Sequence, residues 1–439
     1  MPDHAHSSDP AVQAQLDRLA ALSPGRDVLG LERIAALCAR LGNPQDRLPR
    51  TFHVAGTNGK GSTCAHLRAM LEASGRRVHA YTSPHLVRFN ERIRLAGTLI
   101  DDALLAALLA EVLDQAEGLQ ASFFEVTTAA ALLAFARTPA DDCIVEVGLG
   151  GRLDATNIIS APAVCGIASL GIDHEAFLLA PETGTPADPF ERIAWEKAGI
   201  FKRGAAIATL TYPEPMMRVI ADRAGAVGAC AFCEGDGWTV EPEGAAFRWR
   251  SATATPVAPL LHSGMAGPHQ MRNAGLAIAM LRVAPGPQPD DDAVARGVAS
   301  AFWPGRLQRL RPGPLTALLP PGTEIWLDGA HNVDAGLALA RHFGGDARRL
   351  HLVIGMLANK DPAAVIAPLA DRLASITAVP VPGHEHHAAA AFGARARQAA
   401  SVEEALRGTA IDPAREALLI AGSLYLAGDV LNANGEPPE

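Results

Sequence analysis

Aromatic side chains are scarce in this chain of 439 residues: Phe, Trp and Tyr together make up 5%. Its cores must therefore be mostly aliphatic. Hydrophobic residues reach 49%, which is ample for large cores and excludes wholesale disorder. Charge is modest too, with charged residues at 19% and a formal net charge of -9. That acidic balance argues against a general nucleic-acid or membrane-surface protein, while leaving room for a local basic pocket. No apolar run approaches the roughly 18 residues of a membrane span. The first ten residues are polar, unlike a secretory leader. Six cysteines (Cys38, Cys64, Cys143, Cys165, Cys230, Cys233) lie mostly in apolar contexts. They fit reduced cytosolic thiols better than a disulfide framework, and a lone CxxC at 230–233 has no second pair for zinc.

What the sequence does have is alternation of strand-like and helix-like segments, the pattern of an α/β protein with a largely parallel sheet. Strands are expected over 51–55, 78–81, 143–147 and 163–169, and helices over 60–74, from the cap Asp101 to 117, and over 127–137. The stretch 285–292 packs prolines, a glycine and three aspartates together and reads as a domain boundary. Beyond it a second α/β series follows, with strands at 325–327, 350–354, 378–381 and 418–420 and a helix at 333–342.

The strongest local motif is Gly56-Thr57-Asn58-Gly59-Lys60-Gly61-Ser62. Between a strand and a helix, backbone N–H groups and the helix dipole converge on an anion. There Lys60 adds a point charge and the Ser62 hydroxyl can reach Mg²⁺. The common P-loop pattern needs glycine at 54 and serine or threonine at 61; this chain has Val54 and Gly61. The loop is thus shorter, with its hydroxyl one residue later. Ser83, Glu146 and His174 each follow or end an expected strand. Ligands of parallel sheets bind outside the carboxyl ends of strands, so these three point to the same edge, as a hydroxyl, a carboxylate and an imidazole suited to a metal beside phosphates.

The residues at 30–34 (GLERI), 54–62, 82–94 (TSPHLVRFNERIR), 123–128 (FFEVTT), 145–157 (VEVGLGGRLDATN), 195–202 (WEKAGIFK), 303–310 (WPGRLQRL), 328–332 (DGAHN) and 355–361 (GMLANKD) resemble the folylpolyglutamate synthase and dihydrofolate synthase family of Mur-type amide ligases. The resemblance implies an N-terminal P-loop-type, mostly parallel sheet domain and a smaller C-terminal Rossmann-like α/β domain. Residues 1–287 would bind ATP and the pterin, 288–300 would be a linker, and 301–439 would form the glutamate-ligase domain. The implied reaction is ATP-dependent: an acyl phosphate forms on dihydropteroate or a reduced folate, and the amine of L-glutamate displaces the phosphate.

Residue by residue, the resemblance implies that Gly56 to Ser62 hold the ATP phosphates, with Lys60 on the β/γ side. Ser62, Ser83 and Glu146 would serve one Mg²⁺ and His174 a second, with Lys197 as an N-carboxylated metal ligand formed from CO₂. Asn273 and Arg306 match nucleotide contacts. Asp328 and His331 would complete the ATP and glutamate sites, and Ser423 is a glutamate-site candidate that can equally be a helix N-cap. Ser122, Phe123, Phe124 and Glu125, with Leu153, Asp154 and Ala155, would meet the pterin. Partners are expected to be small molecules alone, in a cytoplasmic monomer with no nucleic acid and no membrane. Two alternatives stay open: a monofunctional synthase, and a P-loop nucleotide switch without ligase chemistry. The segment 182–189 looks longer than the family's usual connection. The histidines at 384, 386 and 387 are expected to lie in a solvated loop.

Overall fold

The computed structural model describes residues 5–22, 29–252 and 259–439. The chain divides into two compact units. The larger comprises Met1–His85, Phe89–Gly264 and Met271–Phe302, the smaller Leu86–Arg88, Met265–Gln270 and Trp303–Glu439.

In the larger unit eight strands form one sheet: β1 (Arg50–Ala55), β2 (Val78–Tyr81), β3 (Ile93–Leu95), β4 (Thr98–Leu99), β5 (Asp142–Glu146), β6 (Val164–Ile167), β7 (Ala206–Thr209) and β8 (Ala231–Cys233). Their order is β4-β3-β2-β5-β1-β6-β7-β8. From β2 to β8 every pairing is parallel, and β3 and β4 add an antiparallel edge. A parallel sheet is buried on both faces, so its strands read as near-continuous apolar runs. β5 shows why: Cys143 and Val145 pack among the aliphatic residues of helices Asp102–Gln115 and Phe123–Arg137. Ile144, on the other face, packs against Leu67, Met70 and Leu71 of helix Lys60–Ala73. The chain runs from β1 to β2 on one side and reaches β6 on the other. β1 is therefore a topological switch point, where ligand crevices open at the strands' carboxyl ends.

At the opposite end of the sheet Asp142, fully buried, pairs with Arg50 at 2.5 Å and with Arg76. Removing one partner of such a buried pair typically costs about 3–5 kcal/mol, so this cluster fixes the start of β5 against β1 and β2.

The stretch 288–300, expected as a linker, is instead largely the helix Asp291–Ser300. The Asp290 side chain caps it by accepting from Ala293 N, and Asp291 and Asp292 lie in its first turn, where acids favour the positive end of the dipole. Its apolar face packs on helix Lys60–Ala73, and at Gly297 a Cβ would stand 2.4 Å from Met70 Cα. The prolines mark the start of a packed helix, and the division between units falls after Phe302. A three-stranded antiparallel sheet of β9 (Trp238–Glu243), β10 (Ala246–Ser251) and β11 (Leu260–His262) also belongs to the larger unit; no strand was expected there.

The smaller unit carries β12 (Gln308–Arg309), β13 (Ile325–Leu327), β14 (Arg349–Ile354), β15 (Leu373–Ala378), β16 (Arg397–Gln398) and β17 (Glu416–Ala421), in the order β12-β13-β17-β14-β15-β16. All pairings but β12–β13 are parallel. Both units are α/β, as expected, and no helix among the described residues is long and apolar enough to cross a membrane.

Candidate active site

β1 ends at Ala55, and the chain turns through Gly56 (φ 152°) and Gly59 (φ 82°) into helix Lys60–Ala73. Both glycines are required by space as well as by backbone. A Cβ at Gly56 would meet Ala168 Cβ at 2.9 Å, and one at Gly59 would meet Asn273 Oδ1 at 2.5 Å. Thr57 anchors the loop: its N donates to Ser169 O at 2.7 Å, and its hydroxyl donates to Gly171 O at 2.7 Å. The Lys60 ammonium bends over the loop, donating to Gly56 O at 3.1 Å and Thr57 O at 3.3 Å. Lys60, Gly61 and Ser62 open the helix, where backbone N–H groups face the space beyond the strand.

Register places the other candidates. Val54 pairs with Glu146, and Tyr81 with Val145, so Ser83 and Glu146 emerge side by side next to the loop. Ser83 N donates to Glu146 Oε2 at 3.3 Å, across from the cis peptide Ser83–Pro84. Glu146 is buried and, with Lys60, lies within electrostatic reach of Cys64 in the helix that follows the loop. Hydroxyls of Ser62 and Ser83 with a buried carboxylate are hard oxygen donors, and they fit Mg²⁺, which keeps waters and phosphate oxygens in its shell. Among the described residues no three His, Cys, Asp or Glu side chains gather as a metal cluster.

Lys197 sits in the last turn of helix Pro189–Ala198, buried, with Gly150 O at 3.5 Å from its Nζ. Burial first, and the Lys60 charge second, pull its ammonium down to about 7. A plain salt bridge to Glu196 is not formed. That carboxylate is held by Arg152 at 3.1 Å and Arg192 at 3.0 Å. Arg192 stands one helical turn from Glu196, so this pairing follows from spacing; Arg152 is distant in sequence and carried no signal. Gly151 allows the contact, since a Cβ there would stand 2.7 Å from Glu196 O. His174 is exposed at φ 52° and opens the turn Glu175–Leu178.

The expected pterin residues have strong local duties. Ser122 and Glu125 form a reciprocal capping box on helix Phe123–Arg137, and Glu125 also receives Arg33 Nε at 3.0 Å. Phe123 is core, while the Phe124 ring lies over Gly148, where a Cβ would come within 2.2 Å of it. That brings Phe124 to the end of β5. Asp154 is buried and accepts from Leu149 N at 2.7 Å and Thr156 N at 3.0 Å. Thr156 in turn meets His53 Nε2 at 2.8 Å. This buried chain braces the turn 148–151; sequence reading missed His53 because a strand histidine has no spacing signature. Leu153 and Ala155 flank Asp154, half-buried and buried respectively.

In the smaller unit Asp328 ends the strand-like run after β13. Its carboxylate accepts from Leu307 N at 2.7 Å and Ala330 N at 2.8 Å. Burial raises its carboxyl and the Arg306 charge opposes that rise. Arg306 lies across Gly329, where a Cβ would be 2.8 Å from Nη1. His331 Nδ1 is 2.9 Å from Gly329 O. Ser423 is the N-cap of helix Leu424–Ala433, accepting from Tyr425 N at 3.1 Å. The loop histidines make contacts distant in sequence: His387 Nε2 lies 2.7 Å from Lys360 O, and the His384 ring lies tilted against Tyr425 with 4.0 Å between centroids. Cys233 bonds to Thr209 Oγ1 at 3.3 Å beside an exposed Cys230.

No family model matches the chain. It is 37% identical to the dihydrofolate synthase/folylpolyglutamate synthase of Bacillus subtilis, over 71% of this chain and 71% of that protein. A probable bifunctional folylpolyglutamate synthase/dihydropteroate synthase of Halobacterium salinarum is 32% identical over 91% of this chain, which spans only 49% of that longer protein. Among solved structures, Escherichia coli FolC in complex with DHPP and ADP superposes with a TM-score of 0.83 at 31% identity, covering 97% of each chain. A bifunctional folylpolyglutamate synthase/dihydrofolate synthase with Mn, AMPPNP and L-glutamate bound gives 0.82 at 31% identity, covering 97% of this chain and 99% of that one. The fold is that of the ATP-dependent acid–amino-acid ligases. Within that class, the chain belongs to the dihydrofolate synthase/folylpolyglutamate synthase family.

Proposed function

We propose that this chain joins L-glutamate to dihydropteroate, giving dihydrofolate, and to reduced folates, giving polyglutamates, by way of an acyl phosphate. The observation that carries the reading is the convergence of Lys60, Ser83, Glu146 and a buried Lys197 on one sheet edge, in a chain whose relatives and neighbours bear these names and ligands.

A carboxylate does not react with an amine unaided, so the site must make an electrophile. A carboxylate oxygen attacks the γ-phosphorus of ATP, the bond to ADP breaks, and an acyl phosphate results. The glutamate amine then attacks the acyl carbon, loses a proton, and inorganic phosphate leaves. Lys60 and the N–H groups from Gly59 to Ser62 neutralise and align the phosphates, which supplies most of the catalysis in phosphoryl transfer. Asn273, set against Gly59, and Arg306 serve the nucleotide. Ser62, Ser83 and Glu146 would hold a divalent cation, which supplies charge neutralisation at the phosphates. His174 would serve a second.

Lys197 is the residue we assign to carbamate formation. Its free amine can take up CO₂ and become an anionic ligand, and three features support this: burial, a lowered pKa, and a neighbouring carboxylate already occupied by two arginines. Asp328, His331 and Ser423 are assigned to the ATP and glutamate sites. Phe124 with Leu153 to Ala155 is assigned to the pterin. Ser122, Phe123 and Glu125 support that wall by capping and packing the helix. The enzyme is assigned to the cytoplasm and works as a monomer on small molecules.

ADP release tests the substrate assignment. Purified protein with Mg²⁺ should release ADP only when glutamate and a pterin acid are both present, and both dihydropteroate and tetrahydrofolate should serve. Activity with dihydropteroate alone would reduce the chain to a monofunctional synthase. Release of ADP with neither substrate at the same rate would favour the nucleotide switch.

A further inference from the structure

Beyond the hydrogen bonds that tie Ser169 and Gly171 to Thr57, the segment between β6 and helix Pro189–Ala198 is fastened at three further points. The first is Leu178, which ends the turn opened by His174 and is fully buried against the turn 148–151; a Cβ on Gly150 would stand 2.8 Å from Leu178 Cδ2. The second is Glu182, whose Oε2 accepts from Arg152 Nη2 at 2.6 Å and from Arg192 Nη2 at 3.0 Å. The third is Asp188, which caps the next helix by accepting from Phe190 N and Glu191 N.

Glu182 itself is exposed, and an exposed ion pair contributes little to stability. Its partners, however, are fixed. Arg152 and Arg192 both hold Glu196 and both lie on the Trp195 ring, with guanidinium carbons 4.5 Å and 5.2 Å from its centre. Arg152 N also donates to Glu196 O at 2.8 Å. One carboxylate oxygen therefore ties three pieces together: the turn beside Lys197, the helix that carries Lys197, and the segment that carries His174. Among the described residues, Glu182 makes the side-chain contacts that join this segment to the helix between Leu178 and Asp188.

We propose that Glu182 is a positioning residue, which by joining Arg152 to Arg192 sets the place of His174 relative to Lys197. The proposal rests on the reading of His174 and Lys197 as metal-site residues. Partners that orient ligands from behind commonly change metal affinity when removed.

The test measures binding rather than turnover. Full-length wild type, Glu182→Gln, Glu182→Asp and His174→Ala are each titrated with Mn²⁺ in the presence of ADP, and free Mn²⁺ is read by electron paramagnetic resonance. Glu182→Gln should weaken Mn²⁺ about tenfold. Glu182→Asp should keep most of the affinity, and metal-free ADP binding and thermal midpoint should stay as in wild type. Unchanged Mn²⁺ affinity in Glu182→Gln, with a loss in His174→Ala, would overturn the positioning role and leave the His174 reading intact. No loss in either variant would remove both. A parallel fall in thermal midpoint and metal-free ADP binding would make Glu182 a folding tie only, and would equally overturn the proposal.

Discussion

Lys197→Ala should turn over at roughly one hundredth of the wild-type rate or less, the scale on which sites lose rate when one group stabilising developing charge is removed. Added formate or acetate should restore part of it. The reasoning starts from burial. An ammonium is costly to bury without a partner, and the neighbouring carboxylate, Glu196, is committed to Arg152 and Arg192. The amine is therefore neutral above about pH 7 and nucleophilic enough for CO₂. Below that pH the protonated amine cannot form the carbamate, so at fixed CO₂ the wild-type rate should fall as pH drops through 7. Alanine leaves room where the carbamate oxygens would lie, and a small carboxylate can enter it. A variant with undiminished turnover would remove Lys197 from the mechanism, and a loss without rescue would reduce it to a packing residue.

Lys60→Ala should lose about 10²–10³-fold in turnover, because the point charge on the β/γ side acts where charge migrates during transfer. The fold should survive, since both hydrogen bonds of the ammonium are to carbonyls of its own loop. Arginine is not an adequate substitute: a planar fork does not reproduce a compact charge on a flexible stem. Steady-state kinetics with thermal melting would separate the two effects. Rates within a few-fold of wild type at an unchanged melting temperature would contradict the role of the loop.

Much of the larger unit's sheet edge was legible because three signals coincide there. Apolar runs mark β1, β2 and β5, glycines punctuate their ends, and polar residues follow immediately. The 78–81 and 325–327 strands were placed to the residue. Helix Phe123–Arg137 was read one turn short, since its start is set by the Ser122–Glu125 capping box rather than by apolar periodicity. β15 was placed too late: Leu373–Ala378 carries half-buried and exposed residues at its start, and the apolar run that drew attention follows it. The helix Asp291–Ser300 was hidden by its prolines, although Asp290 and the acids after it are a sound N-terminal signature. The antiparallel sheet β9–β11 gave no warning, because exposed Glu–Arg pairs such as Arg250 with Glu241 mask its alternation.

In the candidate site, motif residues could be named from the sequence and the residues that support them could not. The family resemblance implies Ser423 and Asp154 as ligand contacts, and each also serves its own backbone, one as an N-cap and the other as a brace for the turn beside Lys197. Arg152, His53 and Glu182 act through contacts distant in sequence, which no local pattern announces.

The proposed reaction requires a carboxylate oxygen to pass to phosphorus before the amide forms. Dihydropteroate labelled with ¹⁸O in its carboxylate, incubated with ATP, Mg²⁺, glutamate and this protein, should yield inorganic phosphate carrying one labelled oxygen for each amide made. Unlabelled phosphate, with the amide formed at the same rate, would contradict the acyl phosphate.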